Sequence, residues 1–218
     1  GHFNLAENRR DEPAPFAFST ESVSGTSWVW VDDKGKPYAA LVTFKPDGDI
    51  DGRSISPLLD RWAIDNGTLT FVSDGGSVTY RFDQSSALPN AQTALIGHME
   101  GEPTIASRLV PAVTGDALAV YFAREALTGT SWRLSNDNDS VAIEKLTLNA
   151  DGSVGGVAGN PWIATWTVEE NGLVLLSPSG SRSFKFETPT LAADGSRVIN
   201  GYLAINPYEE PYLTEIKE

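Results

Sequence analysis

Three aspartates in the segment PDGDIDG, Asp47, Asp49 and Asp51, have the spacing that most directly suggests chemistry. Alternating aspartates followed by a glycine open the calcium-binding loop of an EF-hand, where carboxylate oxygens coordinate the ion. The twelfth position of such a loop is a glutamate, but here it is Leu58. The Asp-Gly dipeptide also favours a tight turn between two strands. We therefore expect a hairpin turn, with calcium binding by the three aspartates as the alternative.

The side chains that nucleophilic or zinc-assisted catalysis requires are scarce in this chain. It has no cysteine and two histidines, of which His2 belongs to a Gly-His start typical of tag removal. His98 alone cannot complete a Ser-His-Asp, Cys-His or multi-histidine zinc site. Two carboxylates can hydrolyse a glycosidic bond, but no pair stands out among the many acidic residues. We expect a protein that is not an enzyme and needs no cofactor.

The chain is strongly acidic, with 29 Asp and Glu against 16 Lys and Arg and a net charge of -13. This charge repels nucleic acid backbones and anionic membrane surfaces. No apolar run approaches the ~20 residues that a membrane-spanning helix needs. We therefore expect neither nucleic acid binding nor membrane insertion. If Gly1 and His2 remain from a removed tag, a natural secretion signal would have been replaced by that tag. We expect a secreted or periplasmic location.

The sequence contains an internal repeat, which defines the two domains that would position any functional site. The motif GTSW occurs at 25–28 and again at 129–132, and this 104-residue offset also brings glycines, prolines and other tryptophans into register. Chance rarely aligns these residue types together over such a length. We predict a tag remnant and polar tail at 1–12, followed by two homologous domains at 13–116 and 117–218.

Short β-rich runs such as VAIEKLTL and RSFKFE fill each half, separated by Gly, Asn, Asp and Ser clusters. Each half has about eight such runs, the number at which a small barrel closes. The predicted fold is all-β, with two tandem small antiparallel meander barrels. GDALAVYFAREALTG has helical propensity, but its counterpart EPAPFAFSTESVSG contains prolines. We expect both to be extended segments with a turn, with a short helix as the alternative.

The Gly-x-x-Trp opening and the meander with Asp-Gly turns resemble the lipocalin-like, calycin-type group of small barrels. WTVEENGLVLLSPSGSRSFKF also resembles secreted metalloprotease inhibitors of that barrel type, and LTGTSWRL is similar to the start of META domains. The inhibitors' cysteines are absent, and AGN at 158–160 replaces the META signature Gly-Cys-Asn. The resemblance implies small barrels in tandem, with protease inhibition as one of the functions it allows.

The six tryptophans divide into matched and unmatched positions. Four are equivalent in the two halves and are expected in the core: Trp28, Trp132, Trp62 and Trp166. Trp30 and Trp162 have no tryptophan counterpart in the other half. Either the two halves differ in core packing at these positions, or these tryptophans line a cavity or cleft. Because residues two apart on a strand share a face, both should point inward. Asp60 lies in the row equivalent to that of Trp162, and should sit near a barrel mouth or find a partner.

Further aromatic side chains are expected to be exposed in NPYEEPYL, at Tyr208 and Tyr212. Aromatic faces contact sugar rings, while Asp and Asn bind their hydroxyl groups. We predict a non-catalytic binding protein of the bacterial envelope or exterior that recognises a polysaccharide or other glycan. Its predicted ligand-binding residues are Trp30, Asp60, Trp162, Tyr208 and Tyr212. Two alternatives remain open: a protein-interaction module such as a protease inhibitor or assembly partner, and a carrier of a small apolar ligand in a barrel lumen.

Overall fold

A computed structural model describes residues 16–51, 61–72, 78–88 and 92–217, and shows two nearly closed antiparallel β-barrels of eight strands each. The first barrel follows a short helix, α1 (Thr20–Val23). Its strands are β1 (Ser27–Val31), β2 (Pro37–Phe44), β3 (Ile50–Asp51), β4 (Arg61–Asp65), β5 (Thr68–Val72), β6 (Thr79–Ala87), β7 (Thr93–Met99) and β8 (Glu102–Pro111).

Two further helices, α2 (Gly115–Tyr121) and α3 (Arg124–Leu127), lead into the second barrel. The strands of that barrel are β9 (Ser131–Ser135), β10 (Val141–Leu148), β11 (Val154–Gly155), β12 (Thr165–Glu169), β13 (Gly172–Leu176), β14 (Arg182–Leu191), β15 (Arg197–Leu203) and β16 (Tyr212–Glu215). In each sheet the first strand pairs with the second and with the last. The predicted all-β fold of two antiparallel meander barrels is confirmed.

The helices occupy segments for which the sequence predicted extended backbone, and that prediction was wrong. A capping box starts α1, because Ser19 and Ser22 each accept the other's backbone N–H through a side-chain hydroxyl. The prolines that argued against a helix all precede Ser19 in the sequence, so they do not interrupt it. None of the helices in the described ranges is long and apolar enough to span a membrane.

The GTSW motif makes the same contacts in both barrels. The hydroxyl of Thr26 accepts the indole N–H of Trp28 at 2.7 Å, and Thr130 accepts that of Trp132 at 2.7 Å. Each threonine hydroxyl donates in turn to a backbone carbonyl of the preceding helix. A large indole can therefore be buried at this point with its polar group satisfied.

Large apolar side chains fill the interior of each barrel. The four matched tryptophans are at most 5% exposed, which confirms that they belong to the core. The first barrel is filled by Trp28, Trp30, Val42, Phe44, Trp62, Leu69, Phe71, Phe82, Leu95 and Leu109. The second is filled by Trp132, Leu134, Leu146, Leu148, Ile163, Trp166, Leu173, Leu175, Phe186, Ile199 and Leu213.

A β-bulge bends one long strand of each barrel, β6 and β14, and a glycine stands opposite each bulge. A Cβ atom at Gly97 in β7 would lie 2.1 Å from the carbonyl oxygen of Arg81, and one at Gly201 in β15 would lie 2.1 Å from that of Lys185. Neither approach leaves room for a side chain. The bulge increases the local bend and twist by which the sheet curls toward closure.

The outer faces of the two barrels pack against each other. An apolar cluster of the first barrel includes Val29, Val31 and Val110, and Leu191 of the second barrel packs against it. The residues of β1 that point away from the first barrel's interior are consequently buried as well. Leu88 and Ala94 of the first barrel and Leu191 of the second therefore cover the outer face of this strand together.

The β1–β2 turn of the first barrel is held by strands β14 and β15 of the second. The carbonyl oxygen of Gly35 accepts hydrogen bonds from Thr190 Oγ1 at 2.6 Å and from Asn200 Nδ2 at 3.0 Å. Lys34 beside it forms an ion pair with Asp139 at 2.5 Å. The turn therefore combines buried hydrogen bonds with an exposed charge contact.

Candidate binding cleft at the end of the second barrel

The structure places the predicted ligand-binding residues in different environments. Trp162 and Tyr208 are exposed, with 54% and 90% of their surface accessible, whereas Trp30 and Tyr212 are buried. Asp60 lies outside the described residues. The exposed residues fall near one end of the second barrel, and this end is the candidate site.

A turn capped by Asn160 holds Trp162 out of the core. The side-chain oxygen of Asn160 accepts the backbone N–H of Trp162 at 2.8 Å and that of Ile163 at 3.1 Å. Ile163, the residue after Trp162, is buried in the barrel core and fixes this end of the turn. Strand β12 begins only at Thr165, so strand alternation does not extend to Trp162. The prediction that Trp162 points inward was therefore wrong.

Trp162 lines a cleft of about 400 Å³ at the end of the barrel. Phe184, Leu203 and Ile205 contribute the other large apolar surfaces. Ile205 is 73% exposed, and the loop that carries it also carries Tyr208. The cleft therefore has an exposed apolar side, of which the indole of Trp162 is one part.

Serine hydroxyl groups form a polar side of the same cleft, in the turn between β13 and β14. Ser179 Oγ lies 2.8 Å from Ser177 Oγ and 3.2 Å from Ser181 Oγ. Gly180, with φ of 80°, supplies the left-handed backbone conformation that this turn needs. Because each hydroxyl both donates and accepts, the row can bind a ligand that presents hydroxyl groups of its own.

The charged residues of the cleft are paired. Arg182 forms an ion pair with Glu169, and Glu209 accepts a hydrogen bond from the amide of Asn206 at 2.9 Å. The amide of Asn136, another lining residue, donates to Ser140 Oγ at 2.9 Å. Because Arg182 and Glu209 already have partners, the cleft suits a neutral ligand better than an ion.

No family model, curated protein or solved structure matches the chain. The chemistry of the cleft therefore rests on its own geometry. An exposed indole beside hydroxyl and amide groups can cover the apolar face of a ring and hydrogen-bond to polar groups at its edge.

Trp30 lies inside the first barrel, at the end equivalent to the cleft. Its ring centroid is 4.9 Å from that of Tyr38 and 4.7 Å from that of Tyr80, and Tyr80 occupies the position that corresponds to Phe184. Burial raises the pKa of both tyrosines, which keeps their hydroxyl groups protonated at neutral pH. Among the described residues the indole N–H of Trp30 has no hydrogen-bond partner. The predicted inward orientation of Trp30 is confirmed.

Tyr212 does not belong to an exposed aromatic surface, and that part of the prediction was wrong. It is 5% exposed, and its hydroxyl donates to Asp139 Oδ1 at 3.1 Å. Lys36 of the first barrel lies over its ring, 5.6 Å from the centroid. Burial raises the pKa of Tyr212, and the hydrogen bond to Asp139 acts in the same direction. Tyr212 is therefore part of the contact between the barrels.

The three aspartates of the opening motif lie at the hairpin turn between β2 and β3, and the predicted turn is confirmed. Asp47 Oδ1 accepts the backbone N–H of Asp49 at 3.1 Å, and Gly48 has φ of 90°. Asp49 forms an ion pair with Arg61, whereas Asp51 forms one with Lys45 on its own hairpin. Across the described ranges no three acidic or histidine side chains form a group that could hold a metal ion. Calcium binding by these aspartates, the alternative to a simple turn, stays untested.

The serine turn and Asn160 were not among the predicted site residues. A signal for each was present: Pro-Ser-Gly-Ser is a typical turn sequence, and asparagine before proline favours turn initiation. The sequence does not show that the serine turn and the Asn160 turn lie close together. This proximity follows from the pairing of β12 with β13.

Proposed function

We propose that the protein is a non-catalytic glycan-binding protein, and that the cleft beside Trp162 holds a neutral saccharide. The observation that carries this proposal is the indole of Trp162, exposed at the cleft and held there by Asn160. The serine hydroxyls that line the same cleft provide partners for sugar hydroxyls. The indole would stack on the apolar face of the ring, and because Arg182 and Glu209 already have partners, the cleft favours an uncharged polymer.

The proposal includes two features that the sequence also predicted. The barrels are assigned to the lipocalin-like group on the Gly-x-x-Trp opening and the meander, with which their eight antiparallel strands are compatible. A location in the bacterial envelope or exterior follows from the proposed ligand, because polysaccharides are abundant there. Cell fractionation with an antibody against the protein tests the location, and recovery in the cytoplasm alone would contradict it.

A glycan array probed with the intact protein tests the ligand class, followed by titration calorimetry with the best-bound oligosaccharide. Trp162→Ala should weaken binding roughly tenfold or more, because an aromatic contact surface is lost. Trp162→Phe should retain part of the affinity, since a smaller aromatic face remains. Val120→Ala, at an exposed apolar residue of α2 outside the cleft, is the matched control and should bind like the wild type.

An array without a bound glycan, or an oligosaccharide bound equally well by Trp162→Ala, would refute the proposal. The absence of catalysis is checked in the same samples by assaying for new reducing ends after prolonged incubation. Release of reducing sugar by the wild type, but not by a cleft variant, would make the protein an enzyme.

A second function, a protein-interaction module such as a protease inhibitor or assembly partner, is favoured by the two exposed side chains beside the cleft. Ile205 and Tyr208 present apolar surface, and contiguous exposed apolar surface is typical of protein interfaces. Tyr208→Ala, tested beside Ile205→Ser, distinguishes the two functions. A protein surface would lose affinity for its partner with both changes. Saccharide binding should survive Tyr208→Ala, because Tyr208 is not among the described residues that line the cleft, whereas Ile205 lines it and its change can weaken both kinds of binding. The lumen-carrier alternative gains no support, because core side chains fill both interiors.

A further inference from the structure

A second cavity, here called the side groove, adjoins the Trp162 cleft at the turn that carries Asn160 and Pro161. Its volume is about 660 Å³, and both of these turn residues line the side groove as well as the cleft. The serine turn also borders the two cavities: Pro178 lines the side groove, and the serines on either side of it line the cleft. Because two separate segments border both cavities, the cleft and the side groove form one continuous depression in the surface.

Small residues keep the side groove open. Gly155 of β11, Ala158 and Gly159 all line it. The backbone N–H of Asn160 donates to the carbonyl oxygen of Val157 at 2.9 Å, which closes a β-turn in which Gly159 has φ of 76°. Ala158 precedes Gly159 in this turn and is exposed. The absence of large side chains at these positions lets a bound molecule lie close to the backbone.

The side groove is uncharged: none of the described residues that line it is acidic or basic. Its polar side chains are those of Asn149, Ser153 and Asn160. In the adjoining cleft, Arg182 and Glu209 already have partners. A charged ligand would find no unpaired opposite charge along this path, and would lose its hydration there without compensation. The same class of neutral ligand therefore suits both cavities.

Two side-chain amides of the side groove each keep one hydrogen-bonding atom free. Asn149 Nδ2 donates to Ser153 Oγ at 2.9 Å, and Asn160 Oδ1 accepts the backbone N–H groups of Trp162 and Ile163. Within the described part of the chain, Asn149 Oδ1 and Asn160 Nδ2 have no partner, and neither is among the buried polar atoms without one, so solvent reaches both. The side groove therefore offers one acceptor and one donor, and a sugar hydroxyl can pair with either.

We propose that the saccharide site extends from the Trp162 cleft into the side groove, so that the protein binds several consecutive units of a linear neutral polysaccharide rather than one sugar. One unit stacks on Trp162, and the following units pass Asn160 and enter the side groove, where Asn149 and Asn160 hydrogen-bond to their hydroxyl groups. Each cavity alone lies within the roughly 300–1,000 Å³ typical of a small-molecule site, so the two together hold more than a single sugar. This inference rests on the proposed function and adds the length of its ligand.

Titration calorimetry with neutral oligosaccharides of two lengths tests this inference. The probes are the disaccharide and the hexasaccharide of the cello-, xylo-, manno- and malto-oligosaccharide series. In at least one series the wild type should bind the hexasaccharide about tenfold or more tightly than the disaccharide, because the additional units contact the side groove. Equal affinity for the two lengths, or binding to none of these series, would overturn the extended site. The glycan array decides the proposed function separately, because it reports binding of any length.

A variant that fills the side groove locates the additional units. Ala158→Trp should reduce the affinity for the hexasaccharide to that for the disaccharide, while the disaccharide, held in the cleft, binds as in the wild type. Ala119→Trp is the matched control: Ala119 is exposed on α2, lies outside the described lining of both cavities, and its variant should keep the gain in affinity with length.

Asn149→Ala removes the free acceptor without filling the side groove. Its affinity for the hexasaccharide should fall about 2- to 10-fold, the effect of one hydrogen bond, and its affinity for the disaccharide should stay unchanged. All three variants should show the circular dichroism of the wild type. Wild-type affinity for the hexasaccharide in folded Ala158→Trp, or an equal loss for both lengths in Asn149→Ala, would refute the assignment of the additional units to the side groove.

Discussion

Gly201→Ala should destabilise the second barrel, although it adds one methyl group only. The new Cβ atom would lie 2.1 Å from the carbonyl oxygen of Lys185 and 2.8 Å from the Cα of Phe186. Both are backbone atoms, so no side-chain rotation can relieve the overlap, and β14 and β15 must move apart at the bulge. Overpacking of this kind costs about 1–3 kcal/mol, and the entropy that alanine removes from the unfolded chain offsets roughly 0.4–1 kcal/mol.

Urea unfolding followed by tryptophan fluorescence measures the change, because the tryptophans of the second barrel's core are buried. A net loss of about 1.3 kcal/mol corresponds to a fall in melting temperature of roughly 5–10 °C for a unit of about 100 residues. Gly97→Ala in the first barrel should behave in the same way, since its Cβ would also lie 2.1 Å from a carbonyl oxygen.

Gly155→Ala is the control for this substitution. Gly155 lies in β11 without a positive φ, and the nearest atom to an added Cβ, Asn149 Nδ2, is 3.5 Å away. That distance is ordinary van der Waals contact, so the free energy of unfolding should change by less than about 0.5 kcal/mol. Equal stability of Gly201→Ala and the wild type, or an equal loss in Gly155→Ala, would show that close backbone approach is not the reason for glycine at the bulge.

Trp166→Ala should cost on the order of 3–5 kcal/mol, as large core deletions do, whereas Trp162→Ala should cost clearly less because its side chain is 54% exposed; equal losses in urea unfolding would contradict this. Asp139→Asn should lose less stability than the wild type as the pH falls into the acid range. The hydrogen bond from Lys34 lowers the pKa of Asp139 in the folded protein. The stability that the carboxylate contributes is therefore present above the ordinary pKa of 3.8 and is lost as the pH falls through the lowered pKa. If the stability of Asp139→Asn fell with pH as steeply as that of the wild type, that account would be refuted. Calcium should leave the melting temperature unchanged; a rise that Asp49→Ala abolishes would show a real site, since ligand at a hundredfold excess over Kd contributes about 2.7 kcal/mol.

The fold could be predicted because its signals are local or repeated. Short β-rich runs and Asp-Gly turns are determined by residues close in sequence, and the repeat separated Trp28 and Trp132 as shared core from Trp30 and Trp162. The structure confirms the barrels and the matched tryptophans.

The site could be predicted only in part, because it depends on contacts that strand periodicity does not describe. Trp162 was identified, but its orientation is set by the side chain of Asn160, which ends the alternation before β12 begins. Tyr212 looks like a surface residue of a single barrel, but Ala192 and Val198 of its own barrel and Lys36 of the first barrel pack against it. A cavity lined by Tyr121 is formed by residues of both barrels, so no sequence pattern within either half of the chain indicates it.

The β1–β2 turn has a counterpart in the turn between β9 and β10, but the two turns are not interchangeable. At the 104-residue offset, Gly35 corresponds to Asp139. A Cβ at Gly35 would lie 3.1 Å from atoms of Leu191, Thr190 and Val198, so this turn fits the neighbouring barrel closely without a side chain. Asp139 has a carboxylate at that point and uses it to bind the lysines of the first turn.

This difference makes the association of the barrels self-limiting. Tandem repeats whose neighbours meet through different surfaces can in principle continue as an open array. Here the glycine turn of the first barrel packs against the second barrel, whereas the corresponding turn of the second carries an aspartate, whose side chain would crowd the equivalent face of another barrel and place a charge against it. We therefore expect this contact geometry to favour one pair of barrels over the addition of a further copy of the second barrel.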